Sequence, residues 1–86
     1  MEEDERIKKL HIILNELVKE FPPLGALDPM FDSHLPILAT MVHASEWNSK
    51  TNIDLEDNKF FAIKTVTFTF PDGLVVIWQS EPTQSG

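Results

Sequence analysis

The segment Phe60–Gln79 most narrowly limits what this chain can fold into. Two runs that are rich in β-branched and aromatic residues, 60–70 and 74–79, flank the tripeptide Pro71-Asp72-Gly73. Proline presets φ at the first turn position, aspartate suits the second, and glycine takes the left-handed third position of a type I turn with a bulge. The sequence therefore predicts a β-hairpin in this segment.

The predicted turn determines which side chains of the hairpin share a face. Directly opposed residues of an antiparallel pair lie on the same side of the sheet. One face then pairs large apolar residues: Phe70 with Leu74, Phe68 with Val76, and Val66 with Trp78. The other face mixes threonine with aliphatic residues: Thr69 with Val75, Thr67 with Ile77, and Thr65 with Gln79. We expect the first face to form the core and the second to face outwards.

Two stretches in the first half of the chain have the periodicity of amphipathic helices. The first runs from Asp4 to Phe21, carries acidic residues at its positive end, and stops at Pro22-Pro23. The second runs from Ser33, the expected N-cap, to about Trp47, and its pattern places Pro36 in the tolerated first turn. We therefore predict two helices before the hairpin.

One more strand precedes the hairpin, and the long strand has an irregular pattern. Thr51–Leu55 alternates as an edge strand does, and Glu56–Lys59 has the length and polarity of a hairpin loop. The apolar phase then changes within the next strand, from Phe61 and Ile63 to Val66, Phe68 and Phe70. A bulge near Lys64-Thr65 would bring both sets to one face. The alternative is that the first half of this strand is buried on both sides.

These elements predict an α+β fold with two helices packed on a three-stranded antiparallel meander, in the order α-α-β-β-β. A chain of 86 residues is expected to form one domain. We assign residues 1–79 to that domain and expect residues 80–86 to be a mobile C-terminal tail, because the tail has no core-forming residue.

The charge and composition exclude several kinds of partner. A formal net charge of −7 repels phosphate backbones and anionic membranes, so we expect no direct nucleic-acid binding and no membrane binding. The acidic N-terminus differs from a signal peptide, and with 0 Cys the chain has no disulfide framework. We therefore expect a cytoplasmic protein whose partner is another protein, with a basic surface favoured by the charge.

No motif predicts a catalytic residue, a metal site or a cofactor, and none is specific enough to name a family. The chain has neither a cysteine nucleophile nor a Gly-x-Ser-x-Gly elbow. No two of its three histidines have the spacing of a helical zinc site. A small enzyme or ligand carrier that uses His11 or His34 remains an alternative.

The leading hypothesis is a non-enzymatic protein-interaction domain that acts as an inhibitor or accessory factor. Tryptophan joins a large apolar area to one hydrogen-bond donor and is favoured at interfaces. The strand Leu74–Gln79 is an apolar edge without lysine or proline, and natural edges are usually protected. The predicted contact set is Trp47, Thr67, Val75 and Ile77.

Two further hypotheses follow from the negative net charge and from the unprotected Leu74–Gln79 strand edge. The first is an inhibitor that imitates nucleic acid in a basic groove, in which case binding would weaken steeply with salt. Its acidic surface would comprise Glu2, Glu3, Asp4, Glu5, Asp54, Glu56 and Asp57. The second is a structural role, either as a homodimer or other homo-oligomer through the Leu74–Gln79 edges or as a small subunit of a larger complex.

Overall fold

The computed structural model describes the backbone of residues 4–85 and the side chains of residues 4–82. The predicted α+β class and the α-α-β-β-β order are confirmed. The helices and strands have these bounds: α1 Glu5–Val18, α2 Pro29–Met41, β1 Glu46–Glu56, β2 Lys59–Thr69, β3 Val75–Gln79 and β4 Thr83–Ser85, with a short 3-10 helix at Gly25–Leu27.

β2 lies in the middle of an antiparallel sheet. β1 pairs with β2 along its whole length, from Glu46 opposite Thr69 to Glu56 opposite Lys59. β3 pairs with the C-terminal half of β2, and the backbone of β4 pairs with its N-terminal end. The β1–β2 turn has positive φ at both central residues, 51° at Asp57 and 62° at Asn58, as a type I′ hairpin turn requires.

The β2–β3 hairpin has the turn and the register that the sequence predicts. Gly73 has a φ of 97° and donates its N–H to the carbonyl of Phe70 at 2.9 Å. The Phe70 N–H donates to the carbonyl of Leu74 at 2.8 Å, which closes the three-residue loop. Phe68 lies opposite Val76 and Val66 opposite Trp78, as expected.

The core lies between the helices and one face of the sheet. Trp78 joins the two layers, because its ring stacks on Phe31 of α2 and its Nε1 donates to Oδ1 of Asn15 in α1 at 2.9 Å. The most deeply buried large side chains are Phe31, Phe68, Leu10, Leu14, Leu35, Val66 and Val76. Every sheet residue in that list was predicted to face the core.

The N-terminus of α1 is fixed to the β2–β3 turn by charged groups. Asp4 is the N-cap and accepts from the Arg6 N–H at 2.9 Å. The Arg6 guanidinium also binds the carboxylates of Asp4 and Asp72, each at 2.8 Å, and lies over the ring of Phe70. The hydrogen bonds from the Arg6 side chain lower the pKa of Asp4 to about 2, and they also lower the pKa of Asp72.

The second helix differs from its predicted position. Asp28, and not Ser33, is the N-cap, and α2 ends at Met41 instead of near Trp47. Pro36 consequently lies inside the helix and not in its first turn. Asp28-Pro29 is the stronger start signal, because the Asp28 side chain accepts from the Met30 N–H and Pro29 needs no N–H partner there.

The bulge predicted near Lys64-Thr65 is absent, because the β1–β2 register is continuous through this region. Lys64 instead takes a core-facing position, with only 5% of its surface exposed. Its Nζ lies 2.8 and 2.9 Å from the two carboxylate oxygens of Asp32 in α2. The apolar residues before it, Phe61 and Ile63, therefore lie on the opposite face of the sheet from Val66 and Phe68.

The C-terminal segment leaves β3 in a new register. The last β3 pair is Thr65 with Gln79, whereas Ala62 pairs with Thr83, which shifts the pairing by one residue. Ser80 marks the change, because its N–H donates to the carbonyl of Lys64 at 2.9 Å. The domain boundary at residue 79 and the mobility of residues 80–86 remain predictions.

Candidate protein-interaction surface

The side of the sheet turned away from both helices is here called the outer face. Its position follows from the register, because the alternate residues of β2 and β3 pack against the helices. The outer face contains Phe61, Ile63, Thr65, Thr67 and Thr69 of β2, and Val75, Ile77 and Gln79 of β3. On β1 it contains Glu46, Asn48, Lys50, Asn52 and Asp54.

Three of the four predicted contact residues lie together on the outer face. Thr67 is directly opposite Ile77, and Val75 is two residues away along the same strand. Val75 and Ile77 are 49% and 57% exposed, so each leaves a large part of its aliphatic side chain in water. The threonines between them offer hydroxyl groups beside the apolar surface.

Trp47, the fourth predicted contact residue, lies on the other side of the sheet. It belongs to β1 and not to a helix end, and its position opposite Phe68 turns it towards the helices. It is partly exposed there. Trp47 and Ile77 therefore cannot contact one flat partner surface at the same time.

Phe61 and Ile63 extend the apolar part of the outer face along β2, a position that differs from the shared core face predicted with a bulge at Lys64-Thr65. Both are partly buried, and they lie opposite Asp54 and Asn52 of β1. Strict alternation along β2 identifies them, provided that Lys64 is counted as a core-facing residue. A lysine at a core-facing position looks like a break in the alternation, because the sequence does not show that the Asp32 carboxylate pairs with it.

The predicted acidic residues form two groups at opposite ends of the sheet. Asp4 and Glu5 lie near the β2–β3 turn, where Asp4 is paired with Arg6. Asp54, Glu56 and Asp57 lie at the β1–β2 turn, one eleven-residue strand away, which is about 35 Å at ~3.3 Å per residue. Glu2 and Glu3 lie outside the described residues. The imitation of nucleic acid therefore remains a prediction that would require a long basic groove.

The β3 edge that the sequence predicts to be uncovered lies beside α1. Antiparallel hydrogen bonding alternates, so the main-chain groups of Ile77 point away from β2. The Nε2 atom of His11 in α1 lies 3.0 Å from the Ile77 carbonyl oxygen. A homodimer through Leu74–Gln79 remains a prediction, and it would have to form beside this contact.

His11 and His34 lie away from the larger surface groove, whereas His43 borders a smaller one of about 170 Å³. His34 Nδ1 is 2.7 Å from the carbonyl oxygen of Met30 within α2, and His11 contacts Ile77. An open groove of about 440 Å³ is lined mainly by Asn15, Val18, Lys19, Leu24, Trp78 and Glu81, and neither His11 nor His34 borders it. Among the described residues, no three carboxylate or imidazole groups are arranged to hold a metal ion.

No α-helix in the described part of the chain has the length and apolar character needed to cross a membrane. Comparison of the chain with protein-family models, with curated proteins and with solved structures found no match.

Proposed function

We propose that this chain is a non-enzymatic, acidic protein-interaction domain that binds a protein partner through its outer face, as an inhibitor or accessory factor. The observation that carries the proposal is the exposure of Val75 and Ile77 on a sheet face that lies opposite both helices. A partner that covers these side chains would remove apolar area from water, at ~25 cal/mol per Å².

The arrangement of the outer face supports a protein as the ligand. It is a sheet face on which Val75 and Ile77 lie opposite Thr69 and Thr67, and surfaces of mixed apolar and polar character are typical of protein interfaces. Small-molecule sites are concave and enclosed, and the groove beside Trp78 and Glu81 is open and lies on the helix side.

The charge indicates what kind of partner surface fits. The chain carries a net charge of −7, and Glu46 and Asp54 lie on the β1 side of the outer face. Complementary charges speed association and select partners, even when the apolar centre provides most of the affinity. We therefore propose a partner with an apolar centre bordered by basic side chains. A cytoplasmic location is part of the proposal, and the absence of cysteine supports it.

The decisive experiment compares Ile77→Lys with Ile12→Lys as baits in affinity capture with quantitative mass spectrometry. Both isoleucines are highly exposed, 57% and 63%, but Ile12 lies on α1 and not on the sheet. A partner of the outer face should be captured by the wild type and by Ile12→Lys and lost with Ile77→Lys. Far-UV circular dichroism should be unchanged in both variants, because neither side chain is part of the core.

Three outcomes would contradict the proposal. Capture that survives Ile77→Lys would exclude the outer face, and capture lost only with Ile12→Lys would place the contact on α1. Collapse of the fold in Ile77→Lys would show that Ile77 is a structural residue. A salt series on the captured complex then separates the hypotheses, because nucleic-acid imitation predicts steep weakening and an apolar interface predicts a shallow one.

A further inference from the structure

β1 has a free main-chain edge along its whole length. The carbonyl of Thr69 points towards β1, where it accepts from the Ser45 N–H. Because main-chain groups alternate in direction along a strand, the even-numbered residues of β1 form the hydrogen bonds to β2. The odd-numbered residues point the other way, where no strand of residues 4–85 lies. These free main-chain groups belong to Trp47, Ser49, Thr51, Ile53 and Leu55.

Two large apolar side chains lie exposed near the C-terminal end of this largely polar edge. Ile53 and Leu55 are 66% and 63% exposed, and they lie on the helix side of the sheet beyond the N-terminus of α2. The charged side chains on this edge oppose pairing with another strand unless that strand presents the complementary charges. Unlike β3, whose Ile77 carbonyl is contacted by His11, β1 has no helix side chain hydrogen-bonded to its outer main chain among the described residues.

We propose that β1 pairs in antiparallel fashion with β1 of a second copy of this chain, about a twofold axis at Asn52. The argument for a second copy is charge complementarity along the edge. In this register Lys50 lies directly opposite Asp54 of the other copy, and symmetry repeats the pair. Neither Lys50 nor Asp54 takes part in an ion pair within residues 4–82, so both are free to form this one.

The two neighbouring registers are less favourable. A twofold axis at Ile53 also places Lys50 opposite an acid, Glu56, but it overlaps only residues 50–56 and leaves Asp54 opposite Asn52. A twofold axis at Thr51 places Glu46 opposite Glu56 and pairs Lys50 only with Asn52, and like charges directly opposed are destabilising. With the axis at Asn52, Lys50 and Asp54 form a non-hydrogen-bonded pair, the kind in which side chains approach most closely. This register specifies a charge pattern that substitutions can reverse.

The proposed dimer also pairs the free main chain and shields the apolar edge. Residues 48–56 of the two copies overlap, which gives about eight new main-chain hydrogen bonds. Ile53 and Leu55 then lie opposite Thr51 and Ser49 of the other copy, on the helix side. The outer faces of the two copies become one continuous surface, so the dimer leaves Val75 and Ile77 uncovered although it engages Asp54.

The test is light scattering over a concentration series for the full chain and four variants, one of which is Ile77→Lys. The wild type should dimerise reversibly, and Lys50→Glu should weaken the dimer about tenfold by placing like charges opposite each other twice. The double variant Lys50→Glu with Asp54→Lys should restore wild-type affinity, because it reverses both members of each pair. Lys8→Glu is the control, since it makes the same charge change on an exposed position of α1.

Each remaining outcome would overturn the proposal. A wild type that stays monomeric to millimolar concentration has no such dimer. A dimer that is equally weakened by Lys50→Glu and Lys8→Glu responds to net charge and not to this register. A double variant that fails to recover contradicts the Lys50–Asp54 pairing. A dimer disrupted by Ile77→Lys alone forms through β3 or the outer face, and not through β1.

Discussion

Lys64 occupies a core-facing position of β2 that strand alternation normally gives to an apolar residue. Its ammonium group is buried and is held by both carboxylate oxygens of Asp32, whose own side chain remains 41% exposed. A buried charge is tolerated only when it is paired, and removal of one partner leaves the other uncompensated. The pair therefore controls whether the middle of β2 can pack beneath α2.

We predict that Asp32→Ala lowers the free energy of unfolding by about 2–4 kcal/mol, because it leaves the Lys64 ammonium buried without a counter-charge. Lys64→Met should be close to neutral, since methionine fills a similar volume without a charge. Urea denaturation measures both effects, and the exposed residue Glu20 provides a control, Glu20→Ala, that should change stability by less than about 0.5 kcal/mol.

A double-mutant cycle isolates the interaction between these two side chains. On a Lys64→Met background, Asp32→Ala should cost little, because the charge that needed Asp32 is gone. An equal cost in both backgrounds would show that Asp32 stabilises α2 in another way, for example through its position in the first turn of the helix.

Arg6 makes the contribution of Asp4 to stability depend on pH. Because its hydrogen bonds lower the pKa of Asp4 to about 2 in the folded state, Asp4 contributes stability that is present above its unfolded pKa, about 3.9. That contribution is lost as the pH falls through about 2. Nuclear magnetic resonance should place the Asp4 titration midpoint near 2, and Arg6→Gln should move it up towards the unfolded value.

Lys8→Gln is the matched control for this titration, because it also removes one cation from α1 but has no contact with Asp4. The Asp4 midpoint should be the same in Lys8→Gln and in the wild type. An Asp4 midpoint that does not move in Arg6→Gln would mean that the helix N-terminus, and not the guanidinium, holds the carboxylate ionised.

At the scale of the elements, the β2–β3 hairpin was predictable because its turn is encoded locally. Pro71-Asp72-Gly73 determines the loop type, and the loop type determines the register from Phe70 to Trp78. Thr67, Val75 and Ile77 could therefore be placed on one face from sequence alone. This turn depends on one residue with a positive φ, Gly73.

We predict that Gly73→Ala lowers the free energy of unfolding by about 1–2 kcal/mol, because an L side chain is strained at a φ of 97°. No atom lies within 4 Å of the added Cβ, so the cost is conformational and not steric. Gly73→Asn should cost less, since asparagine tolerates positive φ. Equal losses for both substitutions in chemical denaturation would point to a steric cause instead.

Other elements were misplaced because their determinants are distant in sequence. The apolar phase change near Lys64 is resolved by Asp32, which lies 32 residues away and just before the helix that the sequence predicts from Ser33. Trp47 lies in β1 and not at the end of the predicted second helix. The neighbouring sequence does not show that β1 begins at Glu46, because that start depends on pairing with Thr69. The sequence therefore predicts the shared face of Thr67, Val75 and Ile77 but not the position of Trp47 on the opposite face, and their contact with a partner stays a prediction.

At the scale of the whole molecule, the chain is elongated, with principal extents of 43 × 28 × 18 Å. The β1–β2 hairpin accounts for much of that length, because its two eleven-residue strands extend past the N-terminus of α2. A domain of this shape buries its helix-side core and leaves a long, thin sheet with one bare face. This shape is why we propose the outer face, and not a cleft, as the surface that binds a partner.

Isoleucine-methyl nuclear magnetic resonance of the captured complex tests this claim most directly, because isoleucines mark each surface separately. Ile63 and Ile77 report on the outer face, Ile53 on the β1 edge, and Ile12 and Ile37 on the helices. On addition of the partner, the Ile77 and Ile63 methyl signals should shift while those of Ile12 and Ile37 stay in place. Shifts confined to Ile12 and Ile37, with Ile77 unchanged, would contradict the proposed function.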